Sequence, residues 1–376
     1  MSVQTEIDRI ITAVGAAYDA LEAKGGTAPA AQTIEGLAAA VGTIQTGIAP
    51  QLVVTVSAGA TVTATNGSKT ISGTSDSTGV CTLIVPEIGT WSVSATLGGQ
   101  TSDTKTVSIT DSYAVEIFFA SPTLNDNEWS TIKRISDAGD GASYWSIGDR
   151  KAITLNGTVG ALTLSNVTMY AFIIGFNHNQ ELEGTNHIHF QFAKTALSGG
   201  TDVALCDNYY NDTEGGFRMN TSNTNSGGWN MSNARTELCG TSLSNYSGTI
   251  IAAIPEALRA VLKSVIKYTN NTGNSSDASA VTATTDYFFL LSEYEVFGSI
   301  TYGNTNEKSK QAQYSYYSAG NSRVKYDQRE LSKAVHWWLR SPRASNTTSF
   351  VDVYSDGEVA SNGAHYSIGF APGFCV

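Results

Sequence analysis

Three patterns of apolar and polar residues follow one another along the chain. In the first, Ile7, Ile10, Ile11, Val14, Tyr18 and Leu21 recur at three- and four-residue steps, which lays one apolar stripe along a helix. Lys24-Gly25-Gly26 predicts its end, with a basic last turn and a left-handed cap. A second stripe follows in Ile34, Leu37, Ala38, Val41 and Ile44. Neither helix buries its stripe alone. Residues 1–48 therefore read either as a helical hairpin docked on its own protein or as an attachment and oligomerisation segment. The second reading is favoured because no core lies adjacent in sequence.

From residue 50 to about 120 the period drops to two. Leu52–Val56, Thr61–Ala64, Cys81–Val85, Trp91–Ala95 and Lys105–Ile109 are strand-like runs, separated by turn residues such as Asn66-Gly67, Ser77-Thr78-Gly79 and Gly98-Gly99. Short strands at this spacing predict a small antiparallel β-sandwich, and no catalytic grouping interrupts it. The stretch resembles the immunoglobulin-like spacer modules of bacterial surface and phage tail proteins, above all in Asp76-Ser77-Thr78-Gly79 followed by Pro86-Glu87-Ile88-Gly89-Thr90-Trp91.

From about residue 126 aromatic side chains crowd in, from Trp129 and Trp145 through Phe190, Trp229 and Phe288 to Trp337 and Trp338, enough to anchor one large core. Ile132–Ile135 and Arg235–Leu238 predict short helical pieces, and Ile254–Ile266, with Pro255 at its start, predicts a longer helix. Tyr287–Leu291 and Phe350–Tyr354 predict strands; long polar loops at 207–228 and 301–323 make the expectation a loop-dominated α+β domain over 126–376. Its final stretch, from His336 to Val376, sets apolar posts at Trp337, Trp338 and Leu339 and at Ile368, Phe370, Phe374 and Val376. Between them runs a series of Asn, Ser, Thr, Asp, Tyr, His and Gly, the palette of an adaptable binding surface. There Phe350, Asp352 and Tyr354 alternate with Val351 and Val353, as in a strand with one face inward.

Charge and composition narrow the classes. The net charge of -11 argues against nucleic acid, since a phosphate backbone needs clustered Lys and Arg. Only 15% of residues are charged, which suits turn-rich exposed β structure. The four cysteines, Cys81, Cys206, Cys239 and Cys375, lack metal spacing; a Cys206–Cys239 pair is conceivable, but buried free thiols are the expectation. Without a basic region followed by an apolar core at its N-terminus, the sequence is expected to carry no signal peptide, and no apolar run reaches the ~20 residues that span a bilayer. These features suit a virion component made in the bacterial cytoplasm, with no membrane insertion.

Candidate chemistry is sparse. Asp137 with Asp140, and Asp207 with Asp212 and Glu214, supply oxygen ligands in Gly-rich loops; solvated turns are the expectation and a structural calcium the minority case. His178, His187 and His189 lie close in sequence, and His187 and His189 point the same way on a strand, but no third ligand stands at firm zinc spacing. Glu181 and Glu183 are two apart, a poor arrangement for flanking a sugar. No phosphate loop, dinucleotide fingerprint or nucleophile elbow occurs. The expectation is a non-enzyme without a cofactor.

Four phrases carry a family resemblance over 126–376. They are Tyr144-Trp145-Ser146-Ile147-Gly148-Asp149 with Ile153–Gly157; Gly227-Gly228-Trp229-Asn230-Met231-Ser232 with Arg235 and Leu238; Phe288–Gly298; and Trp338-Leu339-Arg340-Ser341-Pro342. The domain resembles a set of Firmicute and phage proteins similar to the C-type-lectin-like fold, which includes tail proteins diversified by retroelements. Their usual Gly-Val-Arg-Pro-Ala ending is altered here to Gly369-Phe370-Ala371-Pro372-Gly373-Phe374. The resemblance implies a variable region at 343–366, with Arg343, Ser345, Asn346, Thr348, Phe350, Asp352, Tyr354, Asn362, His365 and Tyr366 facing ligand; a plain solvated hairpin is the alternative. Formylglycine-generating enzymes share the broad fold, but only Cys375 lies near the candidate surface, so their copper pair is missing. The calcium-dependent sugar motifs of C-type lectins are absent. The chain as a whole is expected to be a phage tail-fibre-like adhesin. It would bind a host-cell receptor, dock on other tail proteins through its N-terminus and form a homotrimer. A bacterial surface adhesin and, behind it, a glycan-cleaving tail enzyme are the alternatives.

Overall fold

The computed structural model describes residues 2–43 and 49–376. The chain divides into two compact units, Met1–Phe119 and Ala120–Val376, built mostly of strands in several sheets with short helices between them.

In the first unit, α1 (Val3–Glu22) starts at Ser2 and α2 (Ile34–Val41) at Thr33; each hydroxyl accepts a hydrogen bond from an amide of the first turn, satisfying a donor that the helix cannot. The helices close on Tyr18, Leu21 and Ala40, and the Tyr18 hydroxyl donates to the Thr33 carbonyl at 2.8 Å. Only the C-terminal half of the α1 stripe is covered: Ile7, Ile10 and Ile11 stay exposed, with Ile34 and Val41 of α2. The inward alanine of α2 is Ala40, and Ala38 faces out. Gly25 turns left-handed at φ +79°, as expected, but Lys24 falls beyond the last helical turn. Ile44 lies outside the described residues.

The period-two stretch forms β1 (Gln51–Thr55), β2 (Thr61–Thr65), β3 (Thr70–Thr74), β4 (Val80–Ile84), β5 (Gly89–Leu97), β6 (Gln100–Thr101), β7 (Lys105–Ile109) and β8 (Tyr113–Glu116). One sheet has the order β4-β1-β8; the other runs β3-β2-β5-β6, with β7 also on β5. Inward residues of both sheets, including Leu52, Val54, Val62, Leu83, Trp91, Val93 and Ile109, share one core. The arrangement is not wholly antiparallel, because β8 pairs with β1 in parallel.

The second unit opens with α3 (Trp129–Asp137) and α4 (Gly141–Tyr144). The long hairpin β9 (Arg150–Val159) and β10 (Leu162–Phe176) follows, then α5 (Gln180–Glu183), β11 (Ile188–Lys194) and β12 (Val203–Ala204). Next come α6 (Ile250–Ala253), α7 (Glu256–Arg259), β13 (Val265–Asn270), β14 (Val281–Asp286), β15 (Phe288–Phe289), α8 (Glu293–Phe297) and α9 (Ser315–Ser318). The chain finishes with β16 (Lys325–Asp327), β17 (Glu330–Val335), β18 (Trp337–Pro342), β19 (Ser349–Val353), β20 (Val359–Gly363) and β21 (Gly373–Cys375). The main sheet has the order β15-β21-β11-β10-β9, and β18-β19-β20 form a separate antiparallel sheet.

Two expectations fail here. The helix over Ile254–Ile266 ends after one turn, and Val265 begins β13. Tertiary partners decide it: the Lys263 amide bonds to the Cys375 carbonyl, and β14 pairs with β13 from Val265 to Asn270. In β19 all five residues are buried, so it is a central strand covered on both faces, not one with a wet side.

Candidate functional site

The motif phrases do structural work before any surface chemistry begins. Ser292 and Glu295 form a reciprocal cap at the start of α8: the hydroxyl accepts from the Glu295 amide at 3.1 Å, and the Glu295 carboxylate accepts from the Ser292 amide at 2.9 Å. The same carboxylate takes two bonds from the Arg340 guanidinium, at 2.5 and 2.9 Å, with both side chains fully buried. Burial opposes its ionisation, but Arg340 and Lys267 hold it well below the usual carboxylate range. The phrases Phe288–Gly298 and Trp338–Pro342 are thus clamped together by a two-pronged ion pair. Gly228 of the Gly-Gly-Trp phrase sits at φ +54°, where a Cβ would lie 2.0 Å from the Asn270 carbonyl oxygen. Trp229 and Arg235 of that phrase both bond Asp286, at 3.0 and 2.6 Å.

On this frame rests the segment 343–366. Trp337 and Trp338, both buried, donate their indole N–H groups to the Arg323 and Phe217 carbonyls, so the start of β18 cannot roll. Asn225, in the loop 207–228, donates to the carbonyls of Arg343, Asn346 and Ser349 and pins the turn between β18 and β19. Asn346 itself caps that turn by accepting from the Thr348 and Ser349 amides. Arg343 bonds Ser345 and Ser361 and lies 4.9 Å from the Tyr302 ring.

The ten expected ligand-facing residues do not form one patch. Phe350 is fully buried and belongs to the core, and Asp352 is also fully buried. Both fail as direct contacts because β19 is covered on both faces. Asp352 instead organises what lies above it: it accepts from the His336 Nδ1–H at 2.8 Å and from the Asn362 amide at 3.1 Å. Burial pushes its carboxyl up, with the His336 hydrogen bond opposing. Its Oδ1 has no hydrogen-bond partner among the described residues. Tyr354, exposed, sets its ring edge-on to His336 at 4.1 Å. His336, Tyr354 and Asn362 therefore make one cluster. Arg343, Ser345, Ser361 and Tyr302 make another, across β20, because successive strand residues alternate sides. His365 and Tyr366 follow as a half-exposed pair of rings 4.7 Å apart. Thr348 is half-buried beside Ser349.

His336, Ser361 and Tyr302 were not among the expected contacts. His336 marks the start of the expected frame, and its pairing with Asp352 across the β18–β19 register has no signal in the sequence.

A second polar cluster is buried. His178, His187 and His189 do come together, with ring centroids 5.5 and 5.8 Å apart around His189. Burial lowers His178 to about 3 and also lowers His187 and His189. Ligand atoms of His178, Glu183 and Glu295 lie within 4.8 Å of one another. Both carboxylates of this group already have partners. The Lys267 ammonium contacts Glu183 at 2.5 Å and Glu295 at 3.0 Å, and Arg340 takes the rest of Glu295. Glu181 is exposed and shares no site with Glu183.

The loop acids are likewise engaged in turns. Asp207 accepts from the Tyr209 and Gly216 amides and the Ser367 hydroxyl, Asp212 from the Thr213 and Glu214 amides, and Asp137 pairs with Lys133 and Lys263. All four cysteines are free and buried; Cys375 lies in the core sheet, not near the candidate surface. A shallow cleft of about 330 Å³, lined in part by Glu214, Arg218, Thr221, Asn233 and Glu237, contains none of the ten residues. No described helix is long and apolar enough to cross a membrane.

Residues 202–376, a little under half of the chain, match a sequence family described as a domain of unknown function, DUF6273. No curated protein matches the chain.

Proposed function

We propose that the chain is a phage tail-fibre-like adhesin. Its second unit is a C-type-lectin-like domain that binds a host-cell receptor without covalent chemistry, and the strands of residues 50–120 are an immunoglobulin-like spacer. The observation that carries this reading is a polar, Tyr- and His-bearing surface laid over a rigid frame. His336 and Asn362 are held by the buried Asp352 carboxylate and Tyr354 packs its ring against His336, while Trp338 and Arg340 lock the strand beneath. Such a surface can exchange its outer side chains without disturbing the fold, which is what a recognition surface under diversification needs. Arg343, Ser345, Tyr354, Asn362, His365 and Tyr366 are the contacts of choice, and Asp352 is their organiser. Each contact is weak alone; several copies on one particle multiply it through effective concentration.

The test is binding of the fluorescently labelled full chain to a panel of Firmicute cells. Labelling of a subset of strains, lost on a Tyr354→Ala/Asn362→Ala double substitution, supports the reading. Labelling that survives that change together with Arg343→Ala and Tyr366→Ala sinks it. Sequencing the locus across one phage population addresses diversification: substitutions confined to 343–366, on outward side chains and never at Phe350 or Asp352, are the expected outcome.

A further inference from the structure

We infer that Lys267 and Glu183 form an intramolecular isopeptide bond, a covalent strut between α5 and β13. The Lys267 Nζ lies 2.5 Å from Glu183 Oε2, and both side chains are sealed from solvent. The carboxyl carbon is at most one C–O bond farther away, at the edge of the roughly 3–3.5 Å range of near-attack geometry. The groups around the pair are those that a condensation uses. Glu295 Oε1, 3.0 Å from Nζ, and the Tyr314 hydroxyl, 2.8 Å away, fix the direction of the amine and accept its hydrogens in passing. The Asn179 side-chain amide donates to Glu183 Oε1 at 3.3 Å and marks it as the oxygen that remains as the carbonyl. The Phe289 ring centre stands 4.3 Å from Nζ, which keeps water from the reacting atoms.

The step balances without a co-reactant. A proton passes from the ammonium to the Glu183 carboxylate, giving a neutral amine facing a neutral acid; burial already favours that acid, since it raises the Glu183 carboxyl. Nζ then bonds to the carboxyl carbon. Oε2 leaves as water, carrying two of the three ammonium protons, and one stays on the amide nitrogen. In bulk water the ionised pair is the stable form. In a sealed site two unlike charges give way to one neutral amide, and the Arg340–Glu295 pair stays balanced. The residues joined are 84 positions apart, so the bond closes a long loop.

Intact-mass measurement of the denatured full chain decides the matter. The expected chain is lighter than its sequence by one water, and a peptic digest yields a branched peptide joining residue 183 to residue 267. Lys267→Arg keeps the positive charge but lacks the amine, so it returns the mass to that of its sequence. A wild-type chain of full sequence mass overturns the inference, as does a lost water that maps elsewhere. Both readouts come from the wild type, so a variant that fails to fold leaves the answer intact.

Discussion

At the scale of single residues, the buried ion pair between Arg340 and Glu295 is the most consequential interaction described. Replacing Arg340 with Met removes the two-pronged partner of the Glu295 carboxylate. A loss of about 3–5 kcal/mol in denaturant unfolding is expected for a buried charge so exposed to its own desolvation. Met at 340 combined with Gln at 295 should restore part of it. Glu307 offers a test of pH dependence. It is fully buried, accepts from the Asn270 amide and the Ser341 hydroxyl, and burial pushes it from 4.5 to about 7. The folded chain therefore keeps a proton that the unfolded chain has released, and its contribution falls as pH rises from 4.5 to about 7. Glu307→Gln cannot ionise, so relative to wild type it should gain up to about 3 kcal/mol across that window. An equal change in unfolding free energy for both proteins between urea titrations at pH 5 and at pH 7 would contradict this.

At the scale of elements, legibility followed the range of the forces involved. The strand runs of residues 50–120 were readable because a period of two is a local property of a strand with one buried face, as in β1 and β2. Helix α1 was readable for the same reason, from its stripe and its Gly25 stop, whereas its Ser2 cap emerged only from the structure. The failures came where distant partners overruled local preference. Residues 254–266 carry a helical stripe, yet Cys375 and β14 draw Lys263 and Val265 into sheet pairing. Phe350 and Asp352 alternate with valines, but a strand covered on both faces gives alternation no meaning. Part of the candidate surface was legible from residue types alone, as with Tyr354 and Asn362. His336 was not, because only the β18–β19 register brings it to Asp352. The Gly-Gly-Trp phrase yields a sharp prediction at this scale. In Gly228→Ala the new methyl meets the Asn270 carbonyl at 2.0 Å in a left-handed conformation. The end of β13 must shift, and a loss well above about 1 kcal/mol in thermal unfolding is expected.

At the scale of the whole molecule, the two units have separate cores and should unfold separately. Calorimetry of the full chain is expected to show two transitions. Arg340→Met should lower one and leave the other in place, whereas a single transition moved as a whole would show one cooperative body. The topology of the second unit carries a further consequence. Strand β21 follows all the other described strands in the chain, yet it lies inside the main sheet between β15 and β11. While the ribosome is still making the preceding residues, the backbone groups of His189–Gln191 and Phe288–Phe289 have no partner on that side. The unit cannot close until Gly373–Cys375 has cleared the exit tunnel. Any shortening of the messenger that omits those three residues leaves two unpaired sheet edges facing solvent, a template for intermolecular pairing and inclusion bodies.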